Sequence, residues 1–160
     1  MRLVPLAALA LLVAPAAFAT EINIGISDEL QTTLNDDLGA KEGAFLQREV
    51  QDDLEQALAR AGLDPARIDV TIVDAKPSKP TFKQLGDRPG LSYGDSVSLG
   101  GMHLTAVVYD EAGTPTADLD YDWYENDLRY AGLSTWQDAR RASRLFSTKL
   151  VKTLKADSGS

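Results

Sequence analysis

The chain contains no cysteine and a single histidine, His103, among its 160 residues. The absence of cysteine excludes disulfides, thiol nucleophiles and thiolate metal sites. One histidine cannot form the histidine-rich sites that bind zinc or iron, so only oxygen ligands remain for a metal. The sequence also lacks the glycine-rich loops that hold phosphates or dinucleotides. It therefore predicts neither a metal nor an organic cofactor.

The longest apolar run lies at the start of the chain. Residues 1–19 place Arg2 ahead of a stretch rich in Leu, Ala and Val that ends in Ala17-Phe18-Ala19, a pattern that signal peptidase reads. The alternative is an uncleaved anchor, but the run is short and interrupted for a membrane span. We therefore expect a signal peptide with cleavage after Ala19, and a periplasmic or secreted protein that spans no membrane afterwards.

The charge of the chain is acidic overall and uneven in its placement. The formal net charge is −8, and removing Arg2 makes it more negative, which argues against a nucleic-acid partner. Residues 136–155 carry six cations against Asp138 alone. Such a basic face either touches anionic lipid or an acidic partner, or complements the helix dipole. Its candidate binding residues are Arg141, Arg144 and Lys152.

Hydrophobic periodicity predicts one domain over residues 20–155, followed by a disordered tail at residues 156–160. Apolar residues alternate over four segments, at residues 21–26, 68–72, 97–109 and 117–124, which is typical of half-buried strands. Helical stripes cover residues 45–61 and 136–154. The fold class predicted is therefore α+β, a two-layer sandwich with a mostly antiparallel sheet of about four strands and two long helices on one face. The residues expected to be buried together between the two layers are Phe45, Val50, Leu119, Trp123, Trp136, Phe146 and Leu150. Three prolines make residues 76–95 an expected exposed loop with little regular structure.

The stretch DLDYDWYENDLRY, residues 118–130, combines five carboxylates with four aromatic rings. Alternation predicts a strand whose apolar residues pack while its aspartates face solvent. Aspartates spaced in this way resemble a calcium loop, but the glycine that turns such a loop is missing. Counting back across a turn at residues 110–114 places His103 beside these acids, on the face away from the helices. The candidate binding residues of this face are His103, Tyr109, Asp120, Asp122 and Tyr124.

A hydrolase is the alternative function. Gly94-Asp95-Ser96 resembles the start of a large esterase and lipase family in which the serine is the nucleophile. That family takes its histidine from near the C-terminus, whereas His103 lies seven residues from Ser96 in a predicted strand. Two carboxylates also cleave glycosides when one is desolvated, a geometry that the sequence does not reveal. No catalytic residue is assigned.

Four strings of residues carry a family resemblance that covers about half of the chain. They are KPSKPTFKQLGDRPGLS, the pair Gly100-Gly101, DWYEND and TWQDARRASRLF. Together they resemble an uncharacterised family of small exported, periplasmic proteobacterial proteins. The order of strand, helix, meander and helix is similar, in architecture only, to accessory proteins of envelope transport and assembly. The resemblance implies a periplasmic or secreted bacterial protein and transfers no activity.

The sequence thus favours a non-enzymatic envelope protein, an accessory module that binds another envelope protein or the envelope itself. The binding surface is expected to be the open face of the sheet, the basic helix or the proline-rich segment. The oligomeric state does not follow from the sequence.

Overall fold

The computed structural model describes residues 20–157. The predicted signal peptide and the last three residues of the predicted tail lie outside the described part. The strands are β1 (Glu21–Ile26), β2 (Arg67–Lys76), β3 (Gly101–Tyr109) and β4 (Pro115–Tyr124). The helices are α1 (Asp28–Thr33), α2 (Ala40–Ala61), α3 (Phe82–Asp87) and α4 (Gln137–Asp157). A π-helical turn (Leu34–Leu38) follows α1, and a 3₁₀ turn (Leu128–Tyr130) precedes α4.

The four strands form one sheet in the order β1-β2-β3-β4. The β1–β2 pair is parallel, and the β2–β3 and β3–β4 pairs are antiparallel. This mixed, open sheet confirms the predicted α+β class and the predicted number of strands. It leaves β1 and β4 as the two edges.

Both long helices pack on one face of the sheet. Alternate residues of β2 and β3 are buried there, among them Ile72 and Leu104. Of the residues predicted to form the core, Val50, Trp136, Phe146 and Leu150 are buried. The other three, Phe45, Leu119 and Trp123, are partly buried and pack against that core. The predicted assignment of faces is therefore confirmed.

The helix α2 forms because one apolar residue recurs at every turn. Leu46, Val50, Leu54 and Leu58 are all buried, which is the spacing of a single helical face. The helix ends at Gly62, whose left-handed backbone (φ 64°) suits a residue without a Cβ atom.

The prediction for residues 76–95 was wrong for the first part of the segment, whereas residues 88–95 form no helix or strand and are mostly exposed, as predicted. The segment contains α3, which starts with a capping box: the Thr81 hydroxyl accepts from the amide of Gln84, and the Gln84 side chain accepts from the amide of Thr81. Ser78, Lys79 and Thr81 are buried rather than exposed. The prolines of this segment do not prevent its burial. The backbone amide of Ser78 donates to the carbonyl of Thr135 at 2.7 Å and so keeps a hydrogen-bond partner.

In the sequence, the pair Gly100-Gly101 suits a β-bulge within the third predicted strand, and this expectation was also wrong. The register instead shifts in β2, between Ile72 and Asp74, and in the β3–β4 pair, between Val108 and Tyr109, while β3 begins only at Gly101. Gly101 is needed for close packing instead, since a Cβ atom there would lie 2.2 Å from the Trp123 carbonyl oxygen.

Asp138 links two connections at one end of the sheet, the one from β2 to β3 and the one from β4 to α4. Its Oδ2 atom accepts from the Ser78 hydroxyl at 2.6 Å and from the Gly132 amide at 2.8 Å. The side chains of Ser78 and Asp138 are both buried. This contact joins the segment after β2 to the segment before α4. We call residues 77–100 and 125–136 together the loop end.

Buried polar atoms that lack a hydrogen-bond partner lie between α2 and α4. The Oδ2 atom of Asp53 and the hydroxyls of Ser143 and Ser147 are buried without a hydrogen-bond partner among the residues described. Burial raises the pKa of the Asp53 carboxyl, and the nearby Ser143 hydroxyl and Arg144 lower it by less. The folded structure therefore disfavours the charged form of the Asp53 carboxyl.

We expect Asp53→Asn to stabilise the protein increasingly as pH rises. A carboxyl with a raised folded-state pKa contributes most stability at low pH, and this contribution is lost as pH rises from the usual aspartate pKa of 3.8 through the folded-state value. Urea unfolding of the variant and the wild type across this range measures the difference. Asp52→Asn, on the exposed side of α2, is the matched control and should show no such trend. A difference for Asp53→Asn that shrinks with pH would contradict the assignment.

Candidate binding surface

The face of the sheet opposite the helices carries a one-sided set of charges, and we call it the acidic face. It follows from the strand period, because residues that alternate with the buried ones point the other way. Two cations of the sheet share this face, Arg67 and Lys76. Its carboxylates are Glu21, Asp69, Asp74, Asp118, Asp120 and Asp122.

The predicted neighbourhood of His103 is confirmed. His103 lies opposite Asp122 in the β3–β4 pairing. Its Nε2 atom is 2.8 Å from Oδ1 of Asp120, which is mostly exposed. The contact exists because residues on one face of adjacent strands meet directly or diagonally. His103, Asp120 and Asp122 therefore form one cluster, and its ability to bind a ligand stays a prediction.

The two cations of the acidic face are already engaged within the molecule. Arg67 lies 3.4 Å from the carboxylate of Asp69 and stacks over the ring of Tyr109, 4.0 Å from its centroid. Lys76 lies 3.9 Å from Asp74 and 5.0 Å from the centroid of the Tyr124 ring. Neither cation is therefore directed at the three aspartates of β4.

The two predicted tyrosines, Tyr109 and Tyr124, have structural partners on this face. Tyr124 donates its hydroxyl hydrogen to Oδ2 of Asp74 at 2.7 Å. Burial raises the pKa of Tyr124, and the hydrogen bond to Asp74 and the charges of Asp74 and Asp122 add to the effect. The phenol therefore stays protonated and holds β4 to β2 across β3.

The aspartates at either side of Asp120 remain open. Within residues 20–157, Asp118 and Asp122 form no ion pair and accept no side-chain hydrogen bond. Both are exposed. They are therefore available to a cationic group from outside.

The predicted basic residues lie in the other layer. Arg141 stacks over Trp123, 4.8 Å from the ring centroid, and approaches the buried Glu125 at 3.5 Å. Arg144 and Lys152 are exposed on α4. The structure thus separates these three cations from the acidic face, and two of the six helix cations, Arg141 and Lys149, cover aromatic rings of β4.

Ser96 and His103 do not form a nucleophile and base pair in this structure. The Ser96 hydroxyl accepts from the amide of Ser92, and the ring of His103 is turned to Asp120. Among residues 20–157, no hydrogen bond joins Ser96 to His103. In the same residues, no group of three or more His, Asp or Glu side chains is arranged to hold a metal ion.

The loop end exposes large apolar side chains that sequence reasoning did not identify. Phe82 is 88% exposed and Leu133 is 81% exposed. Leu128 and Tyr130 are also exposed. The sequence around these residues has neither a strand nor a helix period, so their exposure follows only from the turn positions that they occupy. A groove of about 340 Å³ lies between α3 and residues 96–99 at the same end.

A second hollow, of about 430 Å³, lies at the opposite end of the sheet, where β1 begins. Its lining includes the apolar residues Leu63, Ala66, Val108 and Leu154 and the acidic residues Asp64 and Glu111. Both hollows are wide and open to solvent, unlike the enclosed sites that surround small substrates.

Comparison with known proteins finds similarity to solved structures. The crystal structure of a Xanthomonas campestris protein, described under the family model DUF330, matches at 12% sequence identity and a TM-score of 0.46. The match covers 92% of this chain and 94% of that one. No family model matches the sequence, and no curated protein matches it. Among the described residues, no helix has the length and apolar character to span a membrane.

Proposed function

We propose that the protein is an exported, non-enzymatic module that binds another protein through its acidic face. One observation carries the proposal: an uncovered sheet face has six carboxylates, and its two cations are already engaged with neighbouring side chains. An excess of one charge sign over a defined surface attracts a partner of the opposite sign and excludes partners of the same sign. The partner is therefore a protein with a lysine- or arginine-rich surface.

The envelope location belongs to the same proposal and is supported by residues 1–19. We expect the protein expressed in a Gram-negative host to appear in the periplasmic fraction, with Thr20 as its first residue. Cell fractionation followed by N-terminal sequencing measures both. A chain that retains Met1 and stays in the cytoplasm would contradict the proposed export. Arg2→Glu is a useful comparison, because loss of the leading cation should slow processing.

Neutralising the aspartates of β4 should remove partner binding. We expect the triple variant Asp118→Asn, Asp120→Asn, Asp122→Asn to lose at least 10-fold in affinity for a cationic partner, and wild-type binding to weaken steeply with salt. Chemical cross-linking in the periplasm of the native host, followed by titration with the partner so identified, measures this.

The matched control changes three exposed aspartates outside the acidic face, Asp36→Asn, Asp52→Asn and Asp64→Asn. It removes the same number of charges and should bind within about 3-fold of the wild type, since distant exposed charges are screened by salt. Equal loss in both triple variants would show that net charge alone governs binding. Unchanged binding in the β4 variant would exclude the acidic face.

A further inference from the structure

The outer edge of β4 is an unpaired strand edge in the part of the chain that the structure describes. Sheet order places β3 on one side of β4 and no strand on the other. The helix α4 contributes Ala139, Ala142, Phe146 and Leu150 to the core on one face of the sheet. An open edge of ten residues is a template for one further strand.

The hydrogen-bond pattern identifies which backbone groups point outward. The amide of Glu125 donates to the Gly100 carbonyl at 2.9 Å, directly beyond the paired residues Gly101 and Tyr124. Residues of an antiparallel strand alternate between facing the partner strand and facing away. Trp123, Tyr121 and Leu119 therefore direct their backbone groups toward β3. The outward N–H and C=O groups belong to Asp118, Asp120 and Asp122.

The other edge of the sheet is protected. At β1, the side-chain amide of Gln47 donates to the Ile24 carbonyl at 2.6 Å. This side chain from α2 covers the middle of the strand, so an added strand would have to displace it. For Asp118, Asp120 and Asp122, no comparable bond to the outward backbone groups occurs within residues 20–157.

We propose that the β4 edge binds an extended segment of another protein by strand addition, and that this segment carries lysine or arginine at alternate positions. The inference rests on the proposed function, because it names the way in which the acidic face takes its partner. Each residue placed opposite Asp118, Asp120 or Asp122 would exchange backbone hydrogen bonds with that aspartate. Its side chain would lie beside the carboxylate, where opposite charges attract.

The intervening positions of the added segment face the helix layer. There they meet the partly buried rings of Tyr121 and Trp123, and Leu145 of α4, which is 38% exposed. Arg141 and Lys149 already lie over those rings, so cations are disfavoured at these positions. The pattern that fits is a cation alternating with an uncharged residue.

A second copy of this chain does not fit the same edge. Antiparallel pairing of two β4 edges would place aspartates of one copy against aspartates of the other. Like charges directly opposite one another destabilise a strand pair. The acidic edge therefore disfavours self-association and leaves the site to a cationic segment.

Two synthetic peptides of the same composition test the proposal. The first has the sequence KTKVKTK, and the second has the permuted sequence KKTVTKK. We expect the alternating peptide to bind at least 5-fold more tightly, because only it directs all four lysines to one face when extended. In NMR spectra of the labelled protein, the outward amides of Asp118, Asp120 and Asp122 should shift and gain protection from hydrogen exchange. The inward amides of Leu119 and Tyr121 should change little.

A pair of variants at one position separates charge from backbone pairing. Asp122→Asn and Asp122→Pro remove the same charge, but only the proline removes the outward N–H, at an edge position where proline is tolerated. We expect the asparagine variant to weaken binding of the alternating peptide up to 5-fold, and the proline variant at least 10-fold. Circular dichroism verifies the fold of each. If the proline variant does not fold, the NMR shifts of the outward amides in the wild-type protein decide whether the peptide pairs with the β4 backbone.

Two outcomes would overturn the inference in distinguishable ways. If the triple asparagine variant loses binding while both peptides bind equally and the outward amides stay unchanged, strand addition is excluded and the acidic face remains the binding surface. If the triple variant binds both peptides as the wild type does, the proposed function fails, and this inference fails with it.

Discussion

Replacing Phe146 with alanine is expected to lower the free energy of unfolding by about 3–5 kcal/mol. Phe146 has no exposed surface and is the largest fully buried side chain of the core. Its ring lies where α4 packs on the sheet, so truncation removes apolar contacts and leaves a cavity that the surrounding strands cannot close. Urea unfolding followed by tryptophan fluorescence measures the change, since Trp123 and Trp136 both belong to or flank this core.

Phe82→Ala is the control for the Phe146 variant. Phe82 is 88% exposed, so the same truncation should change stability by no more than about 0.5 kcal/mol. A loss of similar size at both positions would mean that the helix layer is not the stable part of the molecule. A small loss at Phe146 alone would contradict its central place in the core.

The second large effect is expected for Asp138→Ala, at about 2–5 kcal/mol. The substitution leaves the Ser78 hydroxyl and the Gly132 amide buried without their acceptor, which is 2.6 Å and 2.8 Å away in the wild type. Each stranded donor costs free energy because no water replaces the lost bond in a buried site. Urea unfolding gives the total, and hydrogen exchange at the Gly132 amide shows whether the loop end opens first.

Asp138→Asn and Asp127→Ala complete this experiment. Asparagine keeps one oxygen acceptor and should lose less than alanine does. Asp127 lies beside the exposed Arg129, which holds the pKa of its carboxyl below the usual value, and an exposed ion pair of this kind contributes little. If Asp127→Ala and Asp138→Ala destabilise equally, burial of Asp138 is not what makes its contacts important.

The two expected losses of stability also define the stability control that the binding experiments require. The acidic face lies on the opposite side of the sheet from Phe146, and its three β4 aspartates are exposed. Their substitution by asparagine should leave the unfolding transition almost unchanged. Loss of binding without loss of stability would then assign the effect to the surface itself.

Much of the local structure follows from periodicity in the sequence. Alternation in β4 predicted that Trp123 and Leu119 pack while Asp120 and Asp122 face solvent, and parity across the turn placed His103 beside Asp120. These inferences hold because strand and helix periods depend on neighbouring residues alone. The same reasoning failed for residues 77–87, where a helix and buried side chains replace the first part of the expected loop. Their burial depends on Thr135 and Asp138, more than fifty residues away.

By itself, then, the sequence determined the strands and long helices, the face that each buries, and the one-sided placement of acid on β4. Only the tertiary structure decided that β4 is an edge, that Gln47 closes the opposite edge, and that Asp138 is buried. The reason is that strand order and burial arise from contacts between distant segments, which compete with many alternative pairings of similar local pattern. The local sequence pattern does not distinguish an aspartate on a central strand from one on an open edge. Only the aspartate on the edge has an outward backbone N–H that is free to bind a partner.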